Sequence, residues 1–278
     1  MRYARAMAVL AAVLGVATVA SAAPFLATDN FDSYVAGSAV HGQGGWSQSN
    51  GGSGTNDYRT VGGGGAGGTN GINNCPSGSY QLNWTDYAWS WADLAVGDKA
   101  IAKMDFQTDS SGNFDDDRIG WVMTSNADSS SYHFGVQLDR SDAGGGLVTY
   151  FRTMTGSNIK NLLIAKATLG ATANSWYREE LYVTKLTDTL GPNGAQLDVY
   201  FSALDASGNV VGAPLTATTT IDTSIYRGFS TSVYPMFKNY NAIGGNADNA
   251  YFQVTPEPAS MGLLALGGLA VIRRRRMA

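Results

Sequence analysis

The chain has 278 residues, a formal net charge of −4, only 14% charged residues, 35 glycines and one cysteine. Both ends are basic (Arg2 and Arg5 at one, Arg273 to Arg276 against Glu257 at the other), so the stretch between them carries −9. An acidic body argues against a nucleic-acid partner, whose phosphates call for a basic face. The lone Cys75 rules out an intrachain disulfide, so packing or bound ions must hold the fold if it is exported.

Residues 1–22 read as a secretory signal. Arg2 and Arg5 form a positive start, Ala6 to Ala20 is small and apolar, and Ala20-Ser21-Ala22 is an A-x-A site. The expected cut lies between Ala22 and Ala23, which makes the protein an exported one. Residues 23–254 then form a body of a length that suits one β-sandwich domain.

The body opens with Phe31-Asp32-Ser33-Tyr34, followed by Gly37, Gly42, Gly44, Gly45 and Trp46. Residues Ser47 to Gly71 are rich in Gly, Ser, Asn and Thr and read as a long surface loop. Trp84, Tyr87, Trp89 and Trp91 fall within eight residues. Sugar rings stack on such side chains, and Trp and Tyr add a polar handle. The stripe therefore has two readings, a carbohydrate-binding surface or the core of a sandwich.

Period-two alternation follows. Ala100, Ala102, Met104 and Phe106 share one face, with Lys103, Asp105 and Gln107 on the other. Ile119 to Met123, Tyr132 to Leu138, Leu147 to Arg152, Trp176 to Lys185, Gln196 to Ala203, Ser232 to Phe237 and Ala250 to Val254 read as further strands. The stretch from Leu162 to Leu169 fits a strand or one short helix. Turn residues such as Pro192-Asn193-Gly194 and Ser207-Gly208-Asn209 separate these runs. The pattern predicts an all-β fold, an antiparallel sandwich.

The chemistry is sparse. Jelly-roll glucanases place paired carboxylates in one strand as E-x-D-x-x-E, and no such match exists. Glu179 and Glu180 are adjacent in a strand and so face opposite ways. Asp115, Asp116 and Asp117 form the densest acidic run. Oxygen ligands on a loop suit Ca²⁺, and a solvated acidic loop is the plainer reading. No cofactor is otherwise indicated.

The end of the chain has three parts in order: Pro256-Glu257-Pro258, an apolar run from Met261 to Ile272, and Arg273-Arg274-Arg275-Arg276. Twelve apolar residues rise about 18 Å as a helix, short of a hydrocarbon core of about 30 Å. The arginines act as a cationic stop on the cytoplasmic side. Residues 255–278 resemble the PEP-CTERM sorting signal of Gram-negative bacteria. That resemblance implies recognition of the Pro-Glu-Pro motif by a membrane enzyme, exosortase, with transient insertion in the inner membrane, removal of the tail and delivery to the cell surface or beyond.

The opening motif, the strand Trp176-Tyr177-Arg178 and the strand Asp248-Asn249-Ala250-Tyr251-Phe252 resemble concanavalin-like (laminin-G-like) jelly rolls. In that family the closing strand lies beside the opening one. Together the resemblances imply a non-catalytic cell-surface or matrix protein associated with exopolysaccharide and binding polysaccharide. Two other readings stand beside it, a glycan-active hydrolase or lyase using aspartates and a purely structural surface protein.

Overall fold

A computed structural model describes residues 25–48, 58–73, 79–108, 120–124, 132–139, 146–230, 232–240 and 245–255. Ala22 and Ala23 of the expected cleavage site, Cys75, the acidic run Asp115 to Asp117, the sorting motif Pro256 to Pro258 and the arginines Arg273 to Arg276 lie outside these residues.

Among the described residues sixteen strands form two antiparallel sheets. The first sheet holds β1 (Phe25–Asp29), β3 (Thr60–Val61), β4 (Gly71–Asn73), β7 (Lys99–Gln107), β12 (Trp176–Lys185), β13 (Ala195–Leu204), β14 (Val210–Ile221) and β16 (Asn246–Thr255). The second holds β2 (Trp46–Gln48), β5 (Ser79–Trp84), β6 (Trp89–Ser90), β8 (Gly120–Thr124), β9 (Tyr132–Asp139), β10 (Gly146–Arg152), β11 (Asn158–Ala165) and β15 (Ser232–Tyr240). The first sheet runs β14-β13-β12-β7-β16-β4-β3, and β1 pairs with β16 on the same side as β4. The first strand therefore lies beside the closing one, with Phe25 opposite Val254, while the motif Phe31 to Tyr34 forms the turn that follows it.

The alternation explains the layering. In β12, Tyr177, Glu179, Leu181 and Val183 are buried, while Trp176, Arg178, Glu180 and Tyr182 face away from the core. Rings from the two sheets meet between them. Trp89 of the second sheet sits 6.0 Å from Phe252 of the first. Each large apolar side chain so enclosed contributes about 2–3 kcal/mol of transfer free energy. Pro235 lies inside β15, where its missing N–H would normally break a ladder. It is tolerated because the neighbour on one side changes there, from β5 at Met236 to β6 at Val233.

Two sequence expectations need correction, and one strand falls outside them. The stretch from Leu162 to Leu169 is both of its alternatives in succession, since β11 ends at Ala165 and a four-residue helix α1 (Lys166–Leu169) follows, closed by the left-handed Gly170. The Gly-rich stretch is not simply a surface loop. Its described part contains β3, ends where β4 begins at Gly71, and buries Tyr58, Thr60 and Ala66. The longest strand, β14, lies outside the strands the sequence suggests: its first five residues are exposed, and only in its second half do Leu215, Ala217 and Ile221 turn toward the core.

Candidate functional site

The outward face of the first sheet carries the chemistry. Cross-strand register sets side chains of β16, β7, β12, β13 and β14 in one row: Tyr251, Lys103, Glu180, Tyr200 and Thr216. Lys103 Nζ lies 2.9 Å from Glu180 Oε2, which also accepts from the Tyr182 hydroxyl at 2.8 Å. The same ammonium lies over two rings, 5.3 Å from the centre of Tyr251 and 5.7 Å from that of Tyr182. Burial alone would lower the Lys103 pKa, but the Glu180 hydrogen bond and charge outweigh it and raise it. Burial and Glu180 together raise that of Tyr182.

The adjoining row is built on a buried carboxylate. Asp105 is fully buried and holds Arg178 in a two-pronged contact, Nε to Oδ1 at 2.6 Å and an Nη to Oδ2 at 2.8 Å. That hydrogen bonding raises the guanidinium pKa. Asp105 Oδ2 also accepts from Asn249 Nδ2 at 2.9 Å. Asn249 is the extra residue of a bulge: β16 advances from Asp248 to Tyr251 while β7 advances only from Asp105 to Lys103. Its positive φ of 51° is one that Asn tolerates better than most side chains. The bulge re-aims β16 so that Asn249 and Tyr251 both reach the cleft.

Asp248, fully buried behind the bulge, fastens it to the glycine-rich segment. Its Oδ2 accepts from the Ala66 N–H at 3.0 Å and the Thr69 hydroxyl at 2.8 Å, and its Oδ1 from the Asn249 N–H at 2.7 Å. Burial pushes its pKa up to about 7 against these hydrogen bonds, with Asp105 adding to the rise.

Between β1, β16, β7 and β12 lies a cleft of about 530 Å³, lined by Asp29, Asn30, Lys103, Arg178, Asn249 and Tyr251 among others. Asp29, the last residue of β1, also ties down the opening motif. Its Oδ2 accepts from the Tyr34 hydroxyl and from Trp46 Nε1, and its Oδ1 from the Phe31 N–H at 2.8 Å. Trp46 stacks on Trp84 at 4.5 Å and 11°, and Trp84 Nε1 donates to Gly44 O. Gly44 (φ 54°) cannot be replaced freely, since a Cβ there would lie 2.0 Å from the Tyr34 hydroxyl. The opening motif is thus a latch between the two sheets.

The aromatic stripe goes the way of the core. Trp84, Trp89 and Trp91 are 1%, 5% and 3% exposed, and half-buried Tyr87 packs edge-on against Trp84. The stripe is not one strand. A turn follows Trp84, and Ser90 caps a short 3-10 turn starting at Trp91 by accepting from the Ala92 N–H. Glu179 and Glu180 do face opposite ways, one into the core and one onto the outer row. Sequence reading had not singled out Lys103, Arg178, Glu180, Tyr182 or Tyr251 as a site. The available signal is the run of charged and aromatic side chains at the outward positions 103 and 105 of β7 and 176, 178, 180 and 182 of β12, where Thr and Ser would suffice for solubility.

No curated protein matches this sequence. Among solved structures the chain is similar to the globular domain of T. cruzi calreticulin, at 8% identity over 84% of this chain and 95% of that one, TM-score 0.48. It is also similar to the metal-free carbohydrate recognition domain of Emp46p, at 8% identity over 81% and 94%, TM-score 0.43. A third is the marine PL-14 alginate lyase from Aplysia kurodai, at 14% identity over 77% and 87%, TM-score 0.40. Residues 254–276 match the family model described as the PEP-CTERM protein-sorting motif, which implies handling by an exosortase.

Proposed function

We propose that this is an exported cell-surface or matrix protein whose tail is read by an exosortase-type enzyme and whose body binds polysaccharide without turning it over. The observation that carries the sorting half is position. The matched motif begins at residue 254, and β16 ends at Thr255. The motif thus follows directly on a strand that pairs with β1, β4 and β7. The binding half is supported by the cleft, whose lining sets a carboxylate (Asp29), N–H donors (Lys103, Arg178, Asn249) and a tyrosine (Tyr251) side by side. That the body does not turn its ligand over is supported by four carboxylates on and behind this face. Asp105 and Asp248 are fully buried, Glu179 faces the core and Glu180 is closed by Lys103 and Tyr182.

Replacing Pro256, Glu257 and Pro258 by alanine is expected to leave the tail attached. Intact-mass analysis of surface material reads this directly, and a variant that is still shortened would sink the sorting reading. Incubating the purified protein with a polysaccharide panel and assaying new reducing ends or unsaturated products should show no turnover. Measurable turnover would favour the hydrolase or lyase instead.

A further inference from the structure

We infer that the cleft takes an uncharged, hydroxyl-rich sugar chain rather than a polyanion, a statement that rests on the polysaccharide-binding reading above. The cations that line the cleft are already neutralised. Lys103 is paired with Glu180 at 2.9 Å and Arg178 is gripped by Asp105 at 2.6 and 2.8 Å. A uronate or sulfate group would have to displace one of these carboxylates. Asp105 is fully buried and cannot swing out to water, which makes that exchange costly. Asp29 adds a further carboxylate to the lining. Beyond the cleft, the body carries −9, so the long-range field slows the approach of a polyanion rather than steering it.

The same pairing leaves what hydroxyls need. A guanidinium has five N–H donors and an ammonium three, and Asp105 and Glu180 engage only part of each set. Asp29, only partly buried, sets carboxylate lone pairs in the same lining, so a group that both donates and accepts finds a partner either way. Tyr251, Tyr182 and Tyr200 add amphipathic ring surface along the row. The row crosses five strands, about 19 Å at ~4.8 Å per strand, which suits a chain rather than a single sugar.

Calorimetric titration of the purified protein with dextran and galactomannan, and with polygalacturonate and alginate, at about 50 and about 300 mM NaCl tests this. At least one uncharged polymer should bind, with affinity changing less than about twofold between the two salts. Tyr251→Ala should weaken that binding about tenfold at an unchanged unfolding midpoint. Should that variant unfold early, Lys103→Met replaces it, with weakening expected in the same direction. Tighter binding of polygalacturonate or alginate that collapses with salt would overturn the uncharged class and leave the binding reading standing. Binding of no polymer would overturn both. Binding of dextran or galactomannan that ignores both substitutions would put the ligand elsewhere and overturn the assignment to this cleft.

Discussion

Two groups of aromatic residues meet at Asp29 and do opposite work. In the latch, Phe31, Trp46 and Trp84 are buried to 1% exposure or less, and the indole N–H groups of Trp46 and Trp84 are spent on Asp29 and a backbone carbonyl. In the outer row, Tyr182, Tyr200 and Tyr251 are only partly buried and lie among charges. The latch consists of rings that have used up their polar handles in closing one sheet onto the other. The row consists of rings whose surroundings remain polar and reachable. A dense cluster of tryptophans in a sequence is therefore poor evidence for a sugar surface. What matters is which face of which sheet the rings stand on.

The largest effect should come from the latch. Trp84→Ala removes a ring stacked on Trp46 and leaves a cavity that the surrounding sheets fill poorly. A loss of about 4 kcal/mol is expected in urea unfolding. A loss below about 1 kcal/mol would mean that the stacked pair does not lock the sheets. Somewhat smaller is the effect of pH through Asp248, which lies behind the row. Its folded pKa of about 7 stands above the unfolded value of 3.8, so the folded protein holds this proton more tightly. The stability it lends is complete below about pH 4 and is lost as pH rises through 7, by at most about 4 kcal/mol. Asp248→Asn has no proton to lose. Its unfolding free energy, measured from pH 4 to 8 and compared with the wild type, should lack this decline. Parallel pH profiles would show that Asp248 is not the titrating group.

Much of the fold was legible because the buried faces alternate. Ala100 to Phe106 and Tyr177 to Val183 repeat every two residues and became β7 and β12. β14 was illegible for the converse reason. As an edge strand exposed on most of its length, Val210–Ile221 alternates only in its second half, where Leu215, Ala217 and Ile221 turn inward between threonines, and Gly212 and Pro214 disguise its first half. The site was harder still. Lys103 and Arg178 stood in strands that were read correctly, but their meeting with Tyr251 depends on register. That register is reset by the bulge at Asn249, which period-two reasoning does not anticipate. The tail was the reverse case: three short pieces in fixed order, legible without any fold.

The smallest stability effect should fall on the row, and it separates the two regions most sharply. Lys103 and Glu180 side chains are 29% and 17% exposed, so their attraction is partly screened and partly offset by desolvation. In Lys103→Met the apolar stem persists and continues to cover the tyrosine rings. Glu180 is not orphaned either, because the Tyr182 hydroxyl still donates to it. The expected change in unfolding free energy is under about 1 kcal/mol, a fraction of the loss at Trp84. Sugar binding should suffer regardless, since a donor is gone from the cleft. If Lys103→Met instead cost more than about 2 kcal/mol in urea unfolding, the row would be holding the sheet together as the latch does. Its charges would then be structural, and the case for a ligand on this face would fall with them.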